Sequence, residues 1–417
     1  MRSPPAHRAT TAHVGALFPF VAEPPLPCPA PYIGRDLLGG AFCYDPFRLY
    51  ACGALTNPNA VVLGQIGRGK SALVKSLLWR MSLFGAQAWV VDPKGEYGPL
   101  AAAWGVKPLR LSPGGRLRLN PLDGPPPALV DGGRPELTRR RVTLLGSLAE
   151  SSLGRPLRPA ERAALDVALS AAEARQPGRA PLLPQVVEAL LAPAPGPAAE
   201  LGTTTDGLAA DGRDVALELR RLVSGDLRGM FDGPTSSQLR LDASLLVIDL
   251  SAVYTSPALG LLMTCATAWV QTALERSGDH PRLLVVDEAW AILSDVGVAR
   301  WLRSAWKLSR ALGVANLAVL HRLSDLRAAG PSGSEQALLA EGLLADSETR
   351  IVYAQSPAES EACRPLLGLS DAEAQLLSRL RRGVALWKVG PRSFLVEHRL
   401  SEAEAAIVDT DARMTGA

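Results

Sequence analysis

"GQIGRGKS", residues 64–71, follows the apolar run "AVVL" (60–63) and opens a helix-length segment from 70 to 83. Glycines let consecutive backbone N–H groups turn inward around phosphate oxygens, and a helix N-terminus adds partial positive charge at the same point. Lys70 brings a compact cation to β and γ phosphates, and the Ser71 hydroxyl is the kind of ligand Mg2+ accepts. The nucleotide-binding stretch is therefore Gly64, Gly67, Arg68, Gly69, Lys70, Ser71 and Ala72, with ATP and Mg2+ as the expected ligands. The chain has six lysines among 44 basic residues. A lysine falling at this place by chance is rare.

Further along, short apolar runs recur: "AWVVD" (88–92), "LLVID" (245–249), "LLVVD" (283–287) and "ANLAVL" (315–320). Helix-length segments such as 257–275 and 297–312 lie between them. Continuous apolar runs alternating with helices predict an α/β fold with a mainly parallel sheet covered on both faces. Residues 125–240 break the rhythm. They open with "DGPPPALVDGGRP", are rich in Ala, Leu, Arg and Glu, and show no strand run, which predicts a mostly helical insertion. The expected organisation is an arm with lead-in strands (1–54), a first core segment (55–124), the insertion (125–240), a second core segment (241–400) and a C-terminal helix with its tail (401–417). Capping boxes at Ser370…Glu373 and Ser401…Glu404 mark late helices around strands near 350–354, 384–388 and 393–397.

A phosphate loop needs a carboxylate on the metal side, at the end of a neighbouring strand. Three strands end in aspartate, at Asp92, Asp249 and Asp287, and only the last is followed by a second acid, Glu288. Asp287 is the expected metal residue, with Ser71, and Glu288 is placed to polarise an attacking water. Asp249 reads as a turn cap. Asp92 belongs to the β-turn "DPKG", and for Lys94 and Glu96 behind it, nucleotide contact and loop shaping weigh about equally.

Together, "PNAVVLGQIGRGKSALVKSLLWR", "VVDPKGEYGPLAAAWG", "LRLNPLD", "LLVVDEAWAIL" and "LSRALGVANLAVLHRLSDL", in this order, resemble the conjugative traffic ATPases of type IV secretion systems. These are VirB-type members of the HerA/FtsK clan of P-loop ATPases. The resemblance runs over roughly residues 55–400. It implies a RecA-like P-loop NTPase core, assembly as a homo-hexameric ring and ATP between protomers. It further implies that Arg310 reaches a neighbour's site from the helix before the last core strand. His321 stands where the family carries a glutamine that senses the γ-phosphate. Glu288, Arg310 and His321 are thus the expected catalytic residues. The expected partners are membrane channel proteins of the secretion or conjugation apparatus, with DNA as one candidate client. The expected location is cytoplasmic, peripheral at the inner face of the cell membrane. Two other functions stay open: a double-stranded DNA translocase of the FtsK/HerA type, and a nucleotide-binding switch or scaffold with little turnover.

Bulk composition narrows the classes. With 47% hydrophobic and 20% charged residues the chain is ordinary globular material, not disordered or fibrous. A net charge of +3 is too mild for a dedicated nucleic-acid binder. The Pro-flanked "VGALFPFVA" (14–22) lacks a convincing cleavage site, and "ALGLLMTCATAWV" (258–270) is too short to span a bilayer. No direct membrane insertion is expected. Five scattered cysteines give neither metal spacing nor a disulfide framework, so inert thiols are the expectation.

Overall fold

The computed structural model describes residues 24–126, 132–237, 243–276, 280–293, 312–321 and 335–408, with isolated positions (10, 130, 239, 299, 302, 303, 306 and 307) besides. The expected strands and their neighbours form one eleven-stranded sheet. In chain order these are β1 (Tyr32–Asp36), β2 (Ala41–Cys43), β3 (Ala60–Leu63), β4 (Gln87–Asp92), β5 (Leu109–Arg110) and β6 (Leu245–Asp249). Then come β7 (Arg282–Val286), β8 (Val314–Leu320), β9 (Thr349–Val352), β10 (Val384–Val389) and β11 (Arg392–His398). The spatial order is β2-β1-β11-β10-β9-β3-β8-β7-β4-β6-β5. From β9 to β5 every pairing is parallel, and from β9 through β10, β11 and β1 to β2 every pairing is antiparallel. The fold is α/β with a mainly parallel sheet.

Every residue of β3, β7 and β8 is buried, as their unbroken apolar runs require. Alternate side chains enter two separate cores. Val62, Val90, Val285 and Val319 meet Leu73, Val74 and Leu77 of the helix Lys70–Ser82 on one face. Val61, Val91, Val286 and Leu320 lie on the other, in a core that runs on into residues 144–222. Those residues belong to the helices Gly133–Leu153, Pro159–Arg175, Leu183–Leu191 and Thr205–Val223. The inserted segment is helical and shares its apolar interior with the sheet. Buried contacts also tie its flanks to the core: Leu119 N donates to Met230 O at 2.9 Å, and Trp269 Nε1 donates to Thr235 Oγ1 at 3.0 Å.

The antiparallel edge joins the two ends of the described chain. β1 pairs with β11 in the register Gly34–His398, Arg35–Glu397 and Asp36–Val396. Arg80, in the last turn of the helix Lys70–Ser82, gathers three elements beneath this edge. It pairs with Glu404 of the helix Glu402–Val408 at 2.5 Å, and its Nη1 donates to the carbonyls of Tyr32 (2.6 Å) and Ile33 (3.1 Å) in β1. Both expected capping boxes are present: Ser370 with Glu373, and Ser401 with Glu404. Among the described residues no helix is long and apolar enough to cross a membrane.

Candidate nucleotide site

The "GQIGRGKS" stretch forms the turn from β3 into the helix Lys70–Ser82, whose first turn has no side-chain cap. Its leading N–H groups are therefore open to an anion. Two glycines are sterically required. A Cβ on Gly64 would lie 2.5 Å from Tyr353 Cβ, because the loop leaves β3 pressed against the end of β9, and Gly69 holds a φ of 109° at the helix N-cap. Neighbouring segments pin the loop, with Gln65 N donating to Ala354 O (3.2 Å) and Gly383 N to Arg68 O (3.0 Å). Lys70 is buried, and its Nζ donates to the carbonyls of Gly64 and Gln65. Burial pulls its pKa down to about 8, against the pull of Glu288 and Asp287. Ser71 and Ala72 follow in the first helical turn, half-buried.

β8 lies between β3 and β7. The acidic pair at the end of β7 therefore stands two strand spacings from the loop, about 10 Å, which leaves room for phosphate and a cation. Asp287 and Glu288 are both buried. Burial first, and then repulsion from Glu288, Asp92 and Glu96, push the Asp287 pKa up to about 7. This concentration of carboxylates is what a divalent cation relieves, and the Asp287 carboxylate with the Ser71 hydroxyl supplies the hard oxygen donors Mg2+ takes. The residues present fit that ion.

Glu288 is the centre of the constellation. Among the described residues it is the one non-glycine with positive φ, 52°, a conformation that costs a side-chain-bearing residue about 1–2 kcal/mol. Three groups hold it there. His321 Nε2 lies 2.6 Å from its Oε1, Lys94 Nζ lies 2.5 Å from the same oxygen, and Trp290 Nε1 donates to Oε2. Burial would raise its pKa, but the hydrogen bonds from His321 and Lys94 prevail and bring it down to about 2. Glu288 is thus an ionised carboxylate, so Nε2 of His321 carries the proton it donates. His321 Nδ1 is buried without a hydrogen-bond partner among the described residues.

The structure thus brings Lys70, Asp287, Glu288 and His321 to one edge of the sheet. Arg310 lies outside the described residues, as do the segment 14–22, most of 297–312 and the tail beyond 408. Asp249 accepts from Ser251 N at 2.8 Å, the turn-capping role expected of it. Asp92 does the same for its own turn, accepting from the backbone of Lys94, Gly95 and Tyr97. Sequence reasoning left Lys94 undecided and missed Trp290. "DPKG" accounts for itself as a turn, whereas the pairing of Lys94 with Glu288 depends on β4 lying beside β7. The nearest signal in the sequence was the position of Lys94 just past a strand end.

A model of the AAA-like domain family matches residues 52–104, which span the loop, its helix and β4. No curated protein sequence matches the chain. Among solved structures, VirB4 of Thermoanaerobacter pseudethanolicus superposes with a TM-score of 0.71 at 22% identity, covering 90% of this chain and 98% of that one. The fold is that of VirB4. The bacterial conjugative coupling protein TrwB, in its complex with ADP and Mg2+, superposes with a TM-score of 0.60 at 17% identity, covering 90% of this chain and 91% of that one. The likeness to VirB4 over 90% of the chain is therefore one of fold.

Proposed function

We propose that the chain is an ATP-hydrolysing motor or assembly ATPase that energises conjugative DNA transfer or type IV secretion. The observation that carries this reading is the meeting, at one sheet edge, of an uncapped phosphate loop and a buried acidic pair whose second member is held ionised. The VirB4 fold, shared over 90% of the chain, supports it. In this reading Gly64, Gly67, Arg68, Gly69, Lys70, Ser71 and Ala72 bind the phosphates of ATP. Ser71 and Asp287 hold Mg2+, which supplies charge neutralisation on the phosphate oxygens when bound. Glu288 orients the attacking water and accepts its proton, and His321 fixes the Glu288 carboxylate. The low pKa of Glu288 favours orientation of water over strong proton abstraction, since a base with so little proton affinity drives the transfer weakly. The protein works as a homo-hexamer in which Arg310 completes the site of the next subunit, where a guanidinium suits the charge developing on the transferred phosphoryl. It docks on channel proteins at the inner face of the cell membrane.

ATPase assays with and without double-stranded DNA test the reading. Lys70→Ala should abolish nucleotide binding, and wild-type turnover should respond only modestly to DNA. Stimulation by a large factor would instead favour a DNA pump of the FtsK/HerA type, and undetectable turnover in the assembled oligomer would leave a nucleotide-binding switch.

A further inference from the structure

The fold brings together two cysteines that stand 24 positions apart in the sequence. Cys28 lies in the segment leading into β1, and Cys52 caps the C-terminus of the helix Pro46–Ala51. The β1–β2 hairpin returns the chain on itself, and the Cys28 and Cys52 sulfurs end 2.8 Å apart. Each thiol also faces a carbonyl of that helix: Cys28 Sγ lies 3.5 Å from Arg48 O, and Cys52 Sγ lies 3.4 Å from Leu49 O. Arg48 Nη1 donates to Pro29 O at 3.1 Å, so the two backbones are already in register beside the sulfurs. Cys52 is exposed and Cys28 half-buried, so a small oxidant reaches the pair. Cys43 is half-buried and Cys265 fully buried, and neither has a sulfur partner among the described residues.

We propose that Cys28 and Cys52 are a redox-active dithiol that closes to a disulfide when met by a peroxide, stapling residues 24–30 to the helix Pro46–Ala51. A bond of about 2.05 Å is reached from this geometry by small rotations of the two side chains. The Cys52 thiolate, at the exposed end, attacks a peroxide oxygen. The O–O bond breaks, leaving Cys52 sulfenic acid and releasing water once the leaving oxygen is protonated. The Cys28 sulfur then attacks Cys52 Sγ, the S–S bond forms and the S–O bond breaks. The departing hydroxide takes the Cys28 proton as a second water. Two thiols are oxidised by two electrons and one peroxide is reduced. Cys52 is exposed where Cys28 is half-buried, which assigns the first attack to Cys52 and the resolving role to Cys28.

The staple fixes a segment that the sheet edge already holds from its other side, where Arg392 Nη1 donates to Pro25 O at 3.3 Å and Nη2 donates to Pro24 O. Closing a loop of this length raises thermal stability by restricting the unfolded chain.

The full-length protein, treated with equimolar hydrogen peroxide, alkylated and digested with trypsin, tests this directly. Cleavage after Arg35 and Arg48 puts Cys28, Cys43 and Cys52 on three different peptides. The expected product is a Cys28–Cys52 linked pair that dithiothreitol reverses, with Cys43 still alkylated. Cys28→Ser should stop at Cys52 sulfenic acid, trapped by dimedone. The oxidised wild type should melt several degrees above its reduced form, a shift that both serine variants lack. Linkage through Cys43, or linked peptides no more abundant than in protein oxidised in denaturant, would overturn the proposal. So would full alkylation of Cys28 and Cys52 after treatment.

Discussion

Glu288 illustrates how much one residue can concentrate. Its backbone sits at φ 52°, its carboxylate is buried, and His321, Lys94 and Trp290 take up its oxygens. Glu288→Gln preserves shape and most hydrogen bonding while removing the charge, so nucleotide binding should persist and turnover should fall about 10²–10⁴-fold. Normal turnover in that variant would remove Glu288 from the reaction. Lys94→Met tests the ion pair. Without the ammonium the buried carboxylate binds a proton more readily, so its pKa rises from about 2. The ionised form is lost as pH falls through that higher value. The acidic limb of the pH–rate profile should accordingly move upward by roughly 1–3 pH units, and an unmoved limb would count against the coupling. His321→Gln keeps a donor toward Glu288 where His321→Ala does not, so hydrolysis should survive the first change far better than the second. At this scale the Gly-rich turn into the helix Lys70–Ser82 and the adjacent acids at the end of β7 were legible in the sequence because each is made of covalent neighbours. The partners of Glu288 were not, since Lys94 and His321 come from two other strands and meet it only through sheet order.

Elements were legible where their chemistry is local. The helix Lys70–Ser82, the strands β3, β4 and β6 to β8, and the two capping boxes follow from apolar runs and cap residues read a few positions at a time. What the sequence does not carry is pairing at a distance: β1 against β11, or Arg80 reaching Glu404 across 324 positions. That second contact has a measurable consequence. Burial would raise the Glu404 pKa, but the Arg80 hydrogen bond and the backbone N–H of Ser401 bring it down from 4.5 to about 2. A carboxyl whose folded pKa is depressed contributes stability that is fully present above its unfolded value. That contribution is lost as pH falls through the folded one. The contribution of the ionised Glu404 should therefore disappear between about pH 4.5 and pH 2. Glu404→Gln should lower denaturant stability at pH 7 while flattening the acid unfolding curve in that window. Equal acid sensitivity in the variant and the wild type would show that Glu404 does not drive that transition.

At the scale of the whole molecule, the sheet edge that holds Lys70, Asp287 and Glu288 also presents Ile66, 78% exposed at the crown of the phosphate loop. In the proposed ring this side chain would be open to a neighbouring copy. The proposed arginine gives that assembly a sharper test than its size would. Lys70→Ala subunits cannot bind nucleotide but still carry Arg310. Arg310→Ala subunits bind nucleotide but offer no arginine to a neighbour. Each variant alone should be nearly inactive, and for different reasons. In an equimolar mixed ring with random order, a nucleotide-competent Arg310→Ala site has a one-half chance of facing a Lys70→Ala neighbour. Such sites make up about a quarter of all interfaces, so recovery of up to roughly a quarter of wild-type turnover is expected if sites act independently. Strict coordination around the ring would lower that figure without abolishing it, and the dependence of recovery on mixing ratio separates the two cases. If mixed rings form, as seen by subunit exchange, and yet recover nothing at any ratio, Arg310 does not act across the interface.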